Sequence, residues 1–258
     1  MVTRLRSRGN VWSAGDHSRR IRSTERAKAH KLWSVPRVVS EIHRSDVPHV
    51  FTDTQRLYTR NAVPGVAVYG ERLVRQGNEE YREWNPRRSK LAAFLKRGAA
   101  VFPFQADTDV LYLGAAQGTT VSHVADVCRE GTIYAVEISR RAFQKLIDLS
   151  ERRPNVIPIL ADARATEGYE RLVGRVGVLY QDVAQRDQVS IFLENLSFLR
   201  AGGFGLLCLK ARSVDVAANP RVLYAEARRT LAKSVTVVQV VELDPYERDH
   251  AAILVEKA

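Results

Sequence analysis

Three acids stand at the ends of three successive apolar runs in this chain. Thr132-Ile133-Tyr134-Ala135-Val136 leads into Glu137, Val156-Ile157-Pro158-Ile159-Leu160 into Asp162, and Gly177-Val178-Leu179-Tyr180 into Asp182. A single acid after a strand usually caps the next helix. Three of them behind a Gly-rich turn, Gly114-Ala115-Ala116-Gln117-Gly118-Thr119-Thr120, suit a ligand built on adenosine. Small residues let the backbone approach a ligand, and the helix expected from about Val121 offers free N–H groups. Glu137, 23 residues after Gly114, is placed to accept hydrogen bonds from both hydroxyls of a ribose. Asp162 with Ala163 suits the exocyclic amine of an adenine. The turn lacks dinucleotide GxGxxG spacing, and no phosphate-binding Lys follows it, which excludes a P-loop. An adenosine cofactor without phosphates, cationic at sulfur, meets these conditions: S-adenosyl-L-methionine.

Such acids meet in one cleft only if parallel strands carry them to one edge of a sheet. The runs named above, with Asp109-Val110-Leu111-Tyr112-Leu113 before them and Gly205-Leu206-Leu207-Cys208-Leu209 after them, are apolar on both faces and spaced by helix-length segments. That pattern predicts a mostly parallel sheet with helices on both sides. Val235 to Val241 and Ala251 to Val255 predict a closing antiparallel pair. Ser89 to Lys96 predicts a helix, with Gly98 just past its end. Upstream, Val50-Phe51, Leu57-Tyr58 and Val66-Ala67-Val68-Tyr69 are short β-prone runs broken by Asn61, Pro64-Gly65 and Gly70. The expected organisation is a basic arm over 1–40, a small antiparallel β domain over 41–84, and an α/β domain over 85–258.

The chain has 258 residues, 45% hydrophobic and 27% charged, as a folded α/β protein should. No apolar run reaches the roughly 18 residues of a membrane span, and Arg4, Arg6 and Arg8 lead into no signal-peptide core. A cytoplasmic setting is the expectation. Cys128 and Cys208 have no zinc or redox spacing, and no metal site is expected. The net charge is +11, and residues 1–40 alone hold ten Lys/Arg against Asp16 and Glu25. A basic arm of this kind contacts polyanions or is simply solvated.

Eight strings, in order over about residues 47–258, resemble the archaeal members of the fibrillarin family. They are Asn61-Ala62-Val63-Pro64-Gly65 with Val68-Tyr69-Gly70-Glu71; Tyr81-Arg82-Glu83-Trp84-Asn85-Pro86 through Ala92; Leu111 to Ala116 with Gly118 to Val124; Tyr134-Ala135-Val136-Glu137; Pro158 to Arg164; Gln181-Asp182-Val183-Ala184-Gln185; Lys210 to Asp215; and Pro245-Tyr246-Glu247 with Asp249-His250. Gln117, Gly177, Arg186 and Pro154 depart from the family's usual residues. The arm holds only Gly9 and Gly15, unlike the Gly/Arg-rich segment of eukaryotic fibrillarins.

The resemblance implies a Rossmann-like class I methyltransferase fold: a seven-stranded, mostly parallel sheet preceded by a small antiparallel β domain. It implies ribose 2′-O-methylation of rRNA, and of tRNA, as the catalytic subunit of a box C/D guide-RNA particle. The implied partners are guide and target RNA, a Nop-type scaffold protein and a kink-turn-binding protein. The implied cofactor contacts are Gly114, Ala115, Thr119, Thr120, Glu137, Ile138, Asp162, Ala163, Asp182, Val183, Ala184 and Gln185. The implied catalytic set is Lys90, Asp182, Lys210 and His250. Lys210 would take the hydroxyl proton, with Lys90 as a second cation beside it and Asp182 orienting it. Arg87, Arg88, Arg164 and Arg212 would meet phosphates. Two other enzymes are weighed against this: a small-molecule O-methyltransferase, for which neither lid insertion nor metal cluster is present, and a protein glutamine methyltransferase. A non-catalytic particle subunit is the third alternative, and the intact Lys90, Asp182 and Lys210 argue against it.

Overall fold

The computed structural model of the chain describes residues 41–258, so the basic arm lies outside the described residues. The first five strands are β1 (His43–Arg44), β2 (Val50–Thr52), β3 (Leu57–Arg60), β4 (Leu73–Gln76) and β5 (Glu79–Trp84). They form an antiparallel sheet in the order β1-β2-β3-β5-β4. Val66 to Tyr69 is not a strand, contrary to its β-prone residues. The Glu71 carboxylate accepts from the N–H of Val68 at 2.9 Å and of Tyr69 at 2.8 Å, which draws these donors away from any ladder. The β4–β5 hairpin turns instead over Gly77 at a φ of +60°, with Gln76 paired to Glu79.

Then follow α1 (Lys90–Lys96), β6 (Val110–Leu113), α2 (Thr119–Val127), β7 (Ile133–Glu137), α3 (Arg140–Ser150) and β8 (Val156–Leu160). The rest is β9 (Val176–Gln181), α4 (Gln188–Asn195), β10 (Leu199–Lys210), α5 (Ala211–Val214), α6 (Pro220–Leu231), β11 (Thr236–Glu242) and β12 (His250–Glu256). The second sheet has the order β11-β12-β10-β9-β6-β7-β8. Its strands from β10 to β8 are parallel, and β12 and β11 close it antiparallel. This is the class I methyltransferase arrangement. Every residue of β6 and β9 is buried, because helices cover both faces, so these strands tolerate no alternation with polar residues. Pro158, which cannot donate to a ladder, sits in β8 at the sheet edge.

The two sheets are tied together through α2 by buried charge. Arg82 of β5 is fully buried, with its guanidinium 2.6 Å from Glu71 Oε1, 2.7 Å from Asp126 Oδ2 of α2, and 2.8 Å from Ser122 Oγ. Arg153, past the end of α3, reaches the other oxygen of Asp126 at 3.2 Å. Two guanidiniums thus meet two carboxylates, and the charge balances inside the protein. His123 of α2 stacks on Trp84, with centroids 5.0 Å apart. The Thr59 hydroxyl donates to Asp126 at 3.2 Å, leaving its oxygen to accept from His123 Nδ1 at 2.8 Å, while Nε2 faces the Tyr69 hydroxyl at 2.8 Å. Burial, then the nearby Arg82 and Arg153, hold this imidazole well below its ordinary pKa.

Two outcomes follow. Removing the guanidinium with Arg82→Met leaves Glu71 without its cation and Asp126 with Arg153 alone, and should cost about 3–5 kcal/mol in denaturant unfolding; a loss near zero would show the network to be idle. Because His123 titrates normally only when unfolded, the unfolded state gains the proton first as pH falls below about 6.5. Stability should therefore be full above that pH and decline on acidification, with a shallower decline in His123→Phe.

Candidate active site and its relatives

Gly114 ends β6 with a φ of +81°, and a Cβ there would run into the carbonyl oxygen of Asp182 at the end of β9. The two backbones can touch only because position 114 has no side chain. This is also where strand order reverses: the chain leaves β6 toward β7 on one side and returns to β9 on the other. Such a point is where open α/β sheets bind ligands. A cavity of about 340 Å³ lies there. Among the expected cofactor contacts, Gly114, Glu137, Ile138, Ala163, Asp182, Val183, Ala184 and Gln185 line it. Ala116, Val136 and Ala161 also line it and were not expected. They have no functional group, so only their place beside the strand ends marks them.

Four expected contacts fall elsewhere. Ala115 is buried and lies outside the lining. Thr120 is buried and gives its hydroxyl to Ser89 Oγ at 3.0 Å, while Thr119 lines a different cavity. Asp162 is held by Arg164 at 2.7 Å, an exposed pairing that lowers its pKa chiefly through that side-chain bond. Glu137 is anchored where the adenosine reading needs it. Its Oε2 accepts from the Ala116 N–H and its Oε1 from the Ser139 N–H, both at 2.7 Å. Each oxygen keeps a lone pair, which is what two ribose hydroxyls require. The cradle therefore fits S-adenosyl-L-methionine: backbone pressed close, an acid at the ribose end, and no phosphate-binding side chain.

Helix α1 brings Lys90 over the same edge. Ser89 caps the helix, its oxygen accepting from Ala92 N–H at 3.4 Å and from the indole of Trp84 at 3.0 Å. With Thr120 bonded to that hydroxyl too, the start of α1 is fixed to both β5 and α2. Ser89 was not singled out as a site residue, although Ser before an apolar run is the ordinary cap signal. Lys90 Nζ then lies 2.9 Å from each carboxylate oxygen of Asp182. Burial works against its charge, but the Asp182 carboxylate prevails and raises its pKa. The structure corrects one expectation here: Asp182 holds Lys90, not Lys210. Lys90 opens α1, whereas Lys210 ends β10.

Lys210 has no carboxylate partner among the described residues, and it is paired in register with His250 of β12. His250 is nearly buried and gives Nδ1–H to the Arg248 carbonyl at 2.7 Å, which leaves Nε2 unprotonated and without a partner. Burial first, then Lys90 and Lys210, lower its pKa, so it is neutral at pH 7. The four arginines expected to meet phosphates do not form one patch of free charge. Arg164 is paired to Asp162 and Arg212 to Asp249 at 3.0 Å, while Arg87 leans on Tyr246 and Arg88 on Tyr69.

The parallel sheet, its cradle at the switch point and the lysine–carboxylate pair beside it define a class I methyltransferase fold with an adenosine site. Comparison with known proteins gives the family. The family model described as Fibrillarin matches residues 42–258. The fibrillarin-like rRNA/tRNA 2′-O-methyltransferase of Thermococcus onnurineus is 44% identical over 220 residues, covering 83% of this chain and 97% of that protein. The structure of Aeropyrum pernix fibrillarin in complex with natively bound S-adenosyl-L-methionine superposes with a TM-score of 0.77 at 44% identity, over 83% of this chain and 97% of that one. A fibrillarin/Nop5p complex gives a TM-score of 0.77 at 38% identity, over 83% of this chain and 100% of the matched one. The chain belongs to the fibrillarin family.

A Cβ at 114 is incompatible with the Asp182 backbone, so Gly114→Ala should weaken S-adenosyl-L-methionine binding at least about tenfold by calorimetry while far-UV dichroism stays unchanged. Wild-type affinity in that variant would remove the cradle from the cofactor site.

Proposed function

We propose that this chain transfers a methyl group from S-adenosyl-L-methionine to ribose 2′-hydroxyls of rRNA, and of tRNA, as the catalytic subunit of a box C/D guide-RNA particle. The observation that carries this is the Lys90–Asp182 pair at the mouth of the cradle, with the unpaired Lys210 on the next strand. Family membership supports it, together with relatives whose names state the same activity. When bound, the sulfonium cofactor supplies an electrophilic methyl. The chain must supply alignment of the hydroxyl and a place for its proton. Asp182 keeps Lys90 charged and fixed, so Lys90 positions the attacking oxygen and does not take its proton. Lys210, with no carboxylate partner among the described residues to hold it charged, accepts that proton as a neutral amine while the oxygen attacks. His250 packs beside Lys210 as a neutral ring and adds no third positive charge.

The described residues hold no module for reading base sequence, and in this reading guide RNA chooses the nucleotide. A Nop-type scaffold holds the enzyme on that guide, beside a kink-turn-binding protein. The fibrillarin/Nop5p complex supports the scaffold partner. No helix among the described residues is long and apolar enough to cross a membrane.

Lys210→Ala should leave cofactor affinity within about twofold and lower methyl transfer by about 10²-fold or more, as for loss of a general base. A variant that keeps its rate in single-turnover assays would take the proton-accepting role from Lys210.

A further inference from the structure

The cradle is not the only cavity that borders the Gly-rich turn. A second, of about 350 Å³, takes Gln117 and Thr119 from that turn and from the start of α2. Its other walls are the loop with Tyr69, Arg88 before α1, and the far end of α3 with Lys145, Asp148, Arg152 and Arg153. Lys145 is paired to Asp148 at 3.4 Å. Arg88 and Arg152 are exposed and have no carboxylate partner among the described residues, and Arg88 is braced over the Tyr69 ring at 5.5 Å. Arg153, by contrast, is 1% exposed. Its Nε and Nη2 go to Asp126 and Asn61, while Nη1 is buried with no hydrogen-bond partner. The cavity thus carries two exposed guanidiniums without a carboxylate partner among the described residues, with the buried Arg153 behind them.

We propose that this second cavity holds a phosphate of the RNA backbone. The inference rests on the RNA reading above and adds a binding site to it. A phosphodiester offers acceptor oxygens to Arg88 and Arg152, and the N-terminus of α2 adds favourable partial charge. Guanidinium forks match phosphate geometry. Because the turn shares its residues between the two cavities, a phosphate here would fix the register of the RNA against the cofactor cradle. Such a contact positions the strand without reading its bases.

The test is the double variant Lys145→Gln/Arg152→Gln of the full chain, both positions exposed and outside the cofactor cradle. Binding of a labelled guide–target RNA duplex is followed by anisotropy across a salt series, with S-adenosyl-L-methionine affinity measured in parallel. The expected result is weaker RNA binding regardless of base sequence, a salt slope lower by about 1, and unchanged cofactor affinity. Unchanged RNA affinity and slope would overturn the proposal. Lost cofactor affinity with intact RNA binding would assign the cavity to the cofactor's carboxylate instead. Weaker binding to the scaffold protein alone would assign it to an acidic side chain of that partner. Wild-type protein that binds RNA with the expected salt slope yet transfers no methyl would sink the ribose reading and leave the cavity result standing.

Discussion

The structure depends on one guanidinium. Arg82 is fully enclosed between Glu71, Asp126 and Ser122, and it joins the antiparallel sheet to the helix that follows the Gly-rich turn. Replacing an intact buried ion pair by apolar residues can be neutral, but losing one partner leaves bare charge in a low-dielectric interior. Arg82, Glu71, Asp126 and Arg153 must therefore stay matched as a set. The consequence reaches the active site through short steps. Trp84 lies two residues after Arg82, its indole bonds Ser89, and Ser89 caps the helix that delivers Lys90. A small sheet thus determines where Lys90 sits beside Asp182.

The parallel sheet supplies the other half of the site. It places Glu137, Asp182 and Lys210 at one edge because β7, β9 and β10 run in the same direction. The lysine on the helix and the carboxylate on the strand then neutralise each other at 2.9 Å, while the strand lysine has no carboxylate partner among the described residues. Two amines of one residue type acquire different duties from their surroundings. One is a fixed charge, and the other is the one proposed to take the proton.

Much of this was legible in the residues. The central strands could be read because burial on both faces forces unbroken apolar runs such as Val110 to Leu113. The acids after β7 and β9 could be read because strand ends at one edge have few reasons to share a charge type. The β4–β5 hairpin could not, since Arg82 looks like a solvent-facing residue until Glu71 and Asp126 are seen around it. The resemblance implied Thr120 as a cofactor contact, and the residues alone did not reveal that its hydroxyl bonds Ser89. The choice between Lys90 and Lys210 as partner of Asp182 was equally hidden, because it depends on how α1 crosses the sheet and not on any local spacing.

The central claim is that the hydroxyl at a guide-specified ribose is the methyl acceptor. The most direct measurement follows tritiated methyl from S-adenosyl-L-methionine into target RNA, in the mixture assembled with guide RNA and scaffold proteins. One target is all-ribose, and the other carries a single 2′-deoxy sugar at the guided position. Transfer is expected to the first, at that nucleotide, and none to the second. Equal labelling of both targets, or label in protein rather than RNA, would contradict it.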